Sequence, residues 1–267
     1  MLRPITYNYQ PTFEANLTSP KLRLSQKDFF IKIRGYGRNT IWADKNKEVT
    51  DIAVNMLRKE SSAENVLKYI VGGIITANRF TFDTGKWKNT GVLRTQRDGW
   101  KDSEYDKDAF TAYESGRYSC YKDRLDNIYK NPLVNPIKNL GMSVPNKYQD
   151  IDHGAPELIN FSLEYIFELF KNKYAKFLDK DVKTEDLNEI IDVVAEIRWV
   201  FAHATPWLRG SDAIANVMMR AMFKAVGVKA YPPARGVSFD LEAYCTNLND
   251  YKKNFNNYFE KPLEVIE

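Results

Sequence analysis

Apolar residues recur at helical spacing in four stretches of the chain. Between about Val49 and Phe80 the series Ile52, Met56, Leu57, Val66, Leu67, Ile70 and Ile74 predicts helices, with Ser61 and Ser62 placed to restart the chain. After Pro156 the positions Leu158, Phe161, Tyr165, Leu169 and Phe177 predict a helix of about five turns. Leu187, Ile190, Ile191, Val194, Ile197 and Phe201 form the next apolar stripe, with Thr184 as its cap and Glu185 and Asp186 in the dipole-favoured first turn. Ile214, Val217, Met218, Ala221, Met222 and Ala225 form the last stripe, closed by Gly227 and barred from continuing by Tyr231-Pro232-Pro233. Phe29 to Ile33 reads as a short strand ended by Gly35-Tyr36-Gly37, and a further short helix is expected near residues 247 to 260.

Between residues 81 and 156 the pattern changes. Gly85, Gly91, Gly99, Gly116, Gly141, Pro132, Pro136 and Pro145 punctuate a Tyr-, Asp- and Lys-rich segment that suits loops and short hairpins. So long a connection is either a substrate-contacting lid or an irregular packed layer. The expected architecture is mostly α: a helical bundle with a small β-hairpin flap and an irregular insertion, in one domain over residues 1–267. Its core covers about residues 50–235, the flap and insertion 81–156, and a C-terminal extension 236–267. The first twenty residues, polar and turn-prone, read as a loosely held arm.

A hydrophobic content of 43% supports a sizeable core, and a net charge of +4 spread along the chain makes no case for nucleic acid. Cys120 and Cys245 lack metal-type spacing and are expected as isolated buried or surface thiols. The longest apolar run, Tyr69 to Ala77, is far short of the ~20 residues that span a bilayer, so a soluble protein without a membrane span is expected. The N-terminus shows no apolar core of an ordinary secretory signal, which leaves export by a specialised system open.

Candidate chemistry concentrates in the joint between the last two apolar stripes, Ala202-His203-Ala204-Thr205-Pro206-Trp207-Leu208-Arg209-Gly210-Ser211-Asp212. His203, one of two histidines, sits at a helix end, where an imidazole exposed to a cleft could serve as a general base. Arg209 offers a planar fork to phosphate or carboxylate, and the amides after Gly210 offer fixed donors, with Ser211 as the helix cap. Asp212, Asn216 and Arg220 follow at i, i+4 spacing as a polar stripe that would hold a cation or polar ligand atoms. Trp207 either packs the loop or walls an aromatic ligand. Upstream, Val92-Leu93-Arg94-Thr95 reads as a solvated hairpin or as an edge strand open to an extended peptide, with Arg94, Thr95 and Arg97 available to dock a target. No nucleotide-loop, zinc-protease or serine-hydrolase signature occurs.

The order of these parts resembles the Fic/Fido superfamily, in its divergent form of AvrB-like or degenerate-motif effectors. The resemblance rests on Gly85-Lys86-Trp87-Lys88, the long helix after Pro156, the helix from Thr184, and His203 through Ala213, and it covers about residues 50–235. It implies a Fido-like fold in which His203 activates a hydroxyl of a target protein and the turn from Gly210 binds the phosphates of a nucleotide donor. Two residues are inserted between histidine and glycine, Ser211 replaces asparagine, the motif's acid is missing, and Ala213 stands at its arginine position. These departures speak against magnesium-dependent AMP transfer. The resemblance therefore implies a host-directed effector transferase with a nucleotide-derived donor, His203 as base and the turn at Gly210 and Ser211 on the donor; Arg209 and Asp212, outside the motif's own positions, could replace its lost groups, and the stripe of Asn216 and Arg220 could bind polar donor atoms. A nucleotide sugar, or a silent peptide- or anion-binding module, is the alternative.

Overall fold

The structure, a computed structural model, describes residues 19–59, 62–81, 89–96, 118–147 and 150–266. The N-terminal arm, Gly85-Lys86-Trp87-Lys88, Arg97 and much of the expected flap lie outside these residues.

Eight α-helices are described. Helix α1, Thr40–Arg58, starts well before the first apolar repeat because the Asn39 side chain accepts the Trp42 N–H and satisfies the opening turn. It lies along α2, Ala63–Thr81. Gly73 permits that approach, since a Cβ there would fall 2.5 Å from Cγ2 of Val49. After α3, Lys122–Lys130, comes α4, Ile159–Leu169, whose expected five turns continue as a π-helical turn, Phe170–Tyr174, and a 3-10 turn, Ala175–Phe177.

The centre of the molecule is the pair α5, Leu187–Ala204, and α6, Ser211–Ala225. Helix α5 packs on α4 and α6, while α6 also packs on α1 and α2. Both are buried far beyond one face, so Glu196, Arg198, Asn216, Arg220 and Lys224 lie inside with the apolar residues. Gly227 at φ 76° closes α6 as expected.

The C-terminal segment is part of the core. Helices α7, Phe239–Tyr244, and α8, Leu248–Asn254, cover α5, and the 3-10 turn Phe255–Tyr258 completes the helical stretch expected at 247–260. Phe239, Phe255 and Phe259 surround Phe223 of α6 or one another at ring separations of 5.2–6.4 Å. Such pairs add ~0.5–1.5 kcal/mol each beyond the area they bury. Two small antiparallel pairs are present: β1, Val144–Pro145, with β2, Ile151–Asp152, and β3, Val228–Lys229, with β4, Glu264–Val265.

Three local expectations are corrected. Phe29 to Ile33 is not a strand: a 3-10 turn spans Gln26–Phe29, fixed by the Asp28 carboxylate accepting from Ser25 N–H at 2.5 Å and Ser25 Oγ at 3.0 Å. Thr184 does not cap α5; Thr184–Asp186 is a 3-10 turn, and Asp186 accepts the Lys183 N–H at 3.0 Å. The Val92 edge is not open to a peptide, because it is already paired with the joint. Gly91 N–H donates to Arg209 O, Leu208 N–H to Val92 O and Arg94 N–H to Pro206 O. No helix among the described residues is long and apolar enough to cross a membrane.

Candidate active site

Helix α5 ends where Thr205 turns left-handed at φ 37°, an uncommon conformation for a β-branched residue. Its neighbours hold it there. Arg94 donates from Nε to Thr205 O at 2.6 Å and from Nη2 to Ala204 O at 2.7 Å and Gly154 O at 2.8 Å, and Thr205 Oγ1 donates to Ala202 O at 2.7 Å. A buried guanidinium on the last carbonyls of a helix is a C-terminal clamp. Arg94 is therefore structural, which corrects its expected target-docking role. Thr95 is exposed, and Arg97 lies outside the described residues.

His203 belongs to the same saturated end. It is 0% exposed, its Nδ1 lies 3.2 Å from Ser143 O and its Nε2 3.1 Å from Ala243 O, and its ring packs tilted by 56° against Trp199 with the centroids 4.1 Å apart. Burial pushes its pKa down to about 4 against the upward pull of the two carbonyls. The expectation of a cleft-facing base at His203 is corrected: this imidazole fills the core and does not line the cavity at the joint.

The other histidine does. His153 is half-buried on a cavity of about 380 Å³ beside the joint. Ser143 Oγ gives its proton to His203 O at 2.8 Å and Thr205 Oγ1 gives its own to Ala202 O, yet both oxygens sit 3.2–3.3 Å from His153 Nδ1. They can only accept there, so the network assigns the proton to Nδ1 and the lone pair to Nε2. Burial, and then Arg94, lower its pKa to about 3, which keeps the ring neutral.

The polar floor of the cavity comes from three helices. Arg198 of α5 is 1% exposed and ion-paired through Nη2 to Asp212 Oδ1, while its Nε and Nη1 have no acceptor among the described residues. Burial pulls Arg198 down, but Asp212 and then the other acidic neighbours leave it above its ordinary value. Asp212, at the start of α6, keeps 32% of its side chain open. Burial and the charge of Asp240 push it up to about 7, Arg198 pulling the other way. Asp240, at the start of α7, accepts from Ser238 Oγ and from Leu241 N–H at 2.8 Å. Asn216, one turn beyond Asp212, is buried with Oδ1 unpartnered among the described residues.

Gly210 at φ 87° opens α6, and the first intrahelical bond is Ile214 N–H to Gly210 O. The N–H groups of Ser211, Asp212 and Ala213 thus precede the helical ladder, and these three residues line the cavity. Ser211 is not the cap: its Oγ donates to Trp207 O and accepts Trp207 N–H, both at 3.0 Å, which cinches the loop. Trp207 takes both expected parts, stacking 6.1 Å from Phe201 and lining the cavity. Arg209 lines it too, half-buried. The facing wall is α1–α2, where Trp42 donates from Nε1 to Asn78 Oδ1 at 2.8 Å and Asn78 donates to Thr90 Oγ1 at 3.1 Å. Tyr36, Tyr118 and Tyr244 complete an aromatic lining.

Arg209, Gly210, Ser211, Asp212 and Asn216 thus come together. Arg220 does not: one turn further along α6 it lines a separate cavity, which corrects its donor-binding assignment. Sequence reasoning missed Arg198, Asp240, His153 and the α1–α2 wall. Arg198 left a trace, since it occupies the slot between Val194 and Phe201 on an otherwise apolar stripe. The carboxylates are poorly suited to the magnesium that the Fido resemblance implies, as Asp212 is held by Arg198 and Asp240 by Ser238 and Leu241.

Residues 111–262 match the family model AvrB_AvrC, described as avirulence protein. This is more than half of the chain, and the protein belongs to that effector family. No curated protein matches it.

Proposed function

We propose that the protein is a Fido-like effector transferase that moves a group from a nucleotide-derived donor to a hydroxyl of a host protein, with Asp212 in the role first expected of His203. The observation that supports this is the buried guanidinium of Arg198. Among the described residues it keeps two N–H-bearing nitrogens without acceptors, beside the unladdered amides of α6 and a carboxylate held near neutrality. Buried donors of this kind suit the negative charge that develops on a donor's phosphate.

In this reading the tyrosines and Trp42 flank the donor's base, while Arg198, Arg209 and the amides from Ser211 to Ala213 receive its phosphates. Asp212 Oδ2 takes the proton from the target hydroxyl. The hydroxyl oxygen then bonds to the transferred group as the bond from that group to the outgoing phosphate oxygen breaks, and the electron pair stays on the phosphate. A base titrating near 7 suits such a transfer. A nucleotide sugar is the second donor reading, favoured by Asn216 Oδ1. That acceptor can serve a hydroxyl but offers nothing to a fully ionised phosphate.

Thermal unfolding of the full chain across a panel of nucleotides and nucleotide sugars tests the proposal. A ligand at 100 times its dissociation constant adds ~2.7 kcal/mol, and a shift given by a nucleotide sugar is expected to vanish in Asn216→Leu. No shift with any donor overturns a donor site. A shift without transfer to any protein in a host extract leaves a silent binding module.

A further inference from the structure

Arg220, displaced from the main site, is loosely held for a buried cation. It is 1% exposed, yet its contacts are all long: Nη1 to Asp28 Oδ1 at 3.5 Å, Ala230 O at 3.3 Å and Tyr231 O at 3.4 Å, and Nη2 to Tyr231 O at 3.4 Å. Nε has no acceptor among the described residues. Charge-assisted bonds normally close to ~2.7–2.9 Å, as they do for Arg94 at 2.6–2.8 Å and for the two-pronged Arg124–Glu242 pair at 2.8 Å. Asp28 cannot tighten its pairing easily, because its other oxygen is held by Ser25 N–H and Oγ.

This guanidinium lines a second cavity, of about 240 Å³, between the 3-10 segment around Leu22 to Asp28 and the start of β3. Arg23, Arg220, Lys224 and Lys229 contribute to its lining against one carboxylate, Asp28. Lys224 is answered by Asp51 at 2.7 Å, which leaves Arg23 and Lys229 toward the mouth and Arg220 at the base. Burial, partly offset by Asp28, lowers the Arg220 pKa, and an added negative charge would relieve that cost. The space is below the ~300 Å³ at which pockets for drug-sized ligands begin, so it suits a compact anion better than a nucleotide. The two cavities sit back to back: Asp28 lines this one and its neighbour Phe29 the other, with the Arg220 guanidinium 5.7 Å from the Phe29 ring.

We propose that this second cavity is a phosphate site, in which Arg220 at the base and Arg23 and Lys229 at the mouth bind a phosphate group, free or carried by a small phosphomonoester. It is separate from the donor cavity and does not depend on the transferase reading. Titration calorimetry of the full chain with inorganic phosphate and with glycerol phosphate tests it, in wild type, in the mouth variant Arg23→Glu/Lys229→Glu and in the donor-cavity variant Asn216→Leu. One phosphate is expected to bind about tenfold more weakly, or not at all, to the mouth variant and unchanged to Asn216→Leu. Preference for inorganic phosphate assigns the free ion, and equal or tighter binding of the ester assigns a carried group. The proposal is overturned if wild type binds neither at millimolar concentration, if the mouth variant binds as wild type does, or if Asn216→Leu alone removes binding. As a measurement that needs no core substitution, the Arg220 Nε–H resonance is expected to shift on adding phosphate; saturation without that shift overturns the site as well.

Discussion

The end of α5 and the start of α6 are joined by one short loop, yet their polar groups are in opposite states. At the α5 end Arg94, His203 and Thr205 face carbonyl oxygens at 2.6–3.2 Å and have little left to offer a ligand. At the α6 start, Arg198 and Asn216 keep buried polar atoms without partners among the described residues, and burial and Asp240 push Asp212 up to about 7 beside open space. An unsatisfied buried polar group costs ~1–3 kcal/mol, so a fold retains several together chiefly where something else is to bind. Saturation, more than residue type, separates the structural half of this joint from the chemical half.

The sharpest break in this comparison is Asp212→Asn, which keeps the shape and removes the base. Turnover per folded molecule is expected to fall by ~100–10,000-fold, measured by transfer to target protein, with some stability lost because Arg198 gives up its carboxylate partner; near-normal turnover would return Asp212 to a structural role. In wild type the acid limb of the rate profile is expected near pH 7, rising with pH as Asp212 loses its proton, and a limb near the ordinary carboxylate range would count against it.

His203→Ala is expected to act on the other half. Removing a fully buried ring costs ~3–5 kcal/mol of stability, read by chemical denaturation, while activity per folded molecule stays within a few-fold. Acid should probe the same residue. Its folded pKa is about 4 and its unfolded value ~6.5, so the unfolded chain takes up a proton first. Its contribution is whole above pH 6.5 and declines by ~1.4 kcal/mol per unit down to about pH 4, with His153 acting in the same direction. Asp212, raised in the fold, works the opposite way, so Asp212→Asn should steepen the net acid loss.

Smaller effects sharpen the boundary. Arg94→Lys cannot reproduce the forked clamp and is expected to cost ~2–4 kcal/mol of stability with little change in donor affinity. Arg209→Glu should do the reverse, weakening the donor by about tenfold at nearly constant stability; equal affinity by titration calorimetry would remove Arg209 from the site. Thr95→Ala, on the exposed turn, should change stability by no more than ~0.5 kcal/mol, and a larger loss would mean that this turn is anchored more firmly than its exposure suggests.

Period and punctuation determined much from sequence alone. The apolar stripes placed α2, α4, α5 and α6, Gly227 placed the end of α6, and the chemical groups of the joint marked where to look, because these depend on neighbours within a turn or two. What lay beyond was decided by contacts distant in sequence. His203 and His153 are both single histidines near turns, and nothing local says that the first is sealed by Ser143 and Ala243 while the second lines a cavity. Asp212, Asn216 and Arg220 share one helix face on paper, but α6 is enclosed on several sides and delivers Arg220 to a different cavity from the other two. Burial, pairing and pKa are properties of what packs around a side chain, and here that surrounding comes from α1, α2, α7 and the segments near Ser143, none of them adjacent to the joint in the chain.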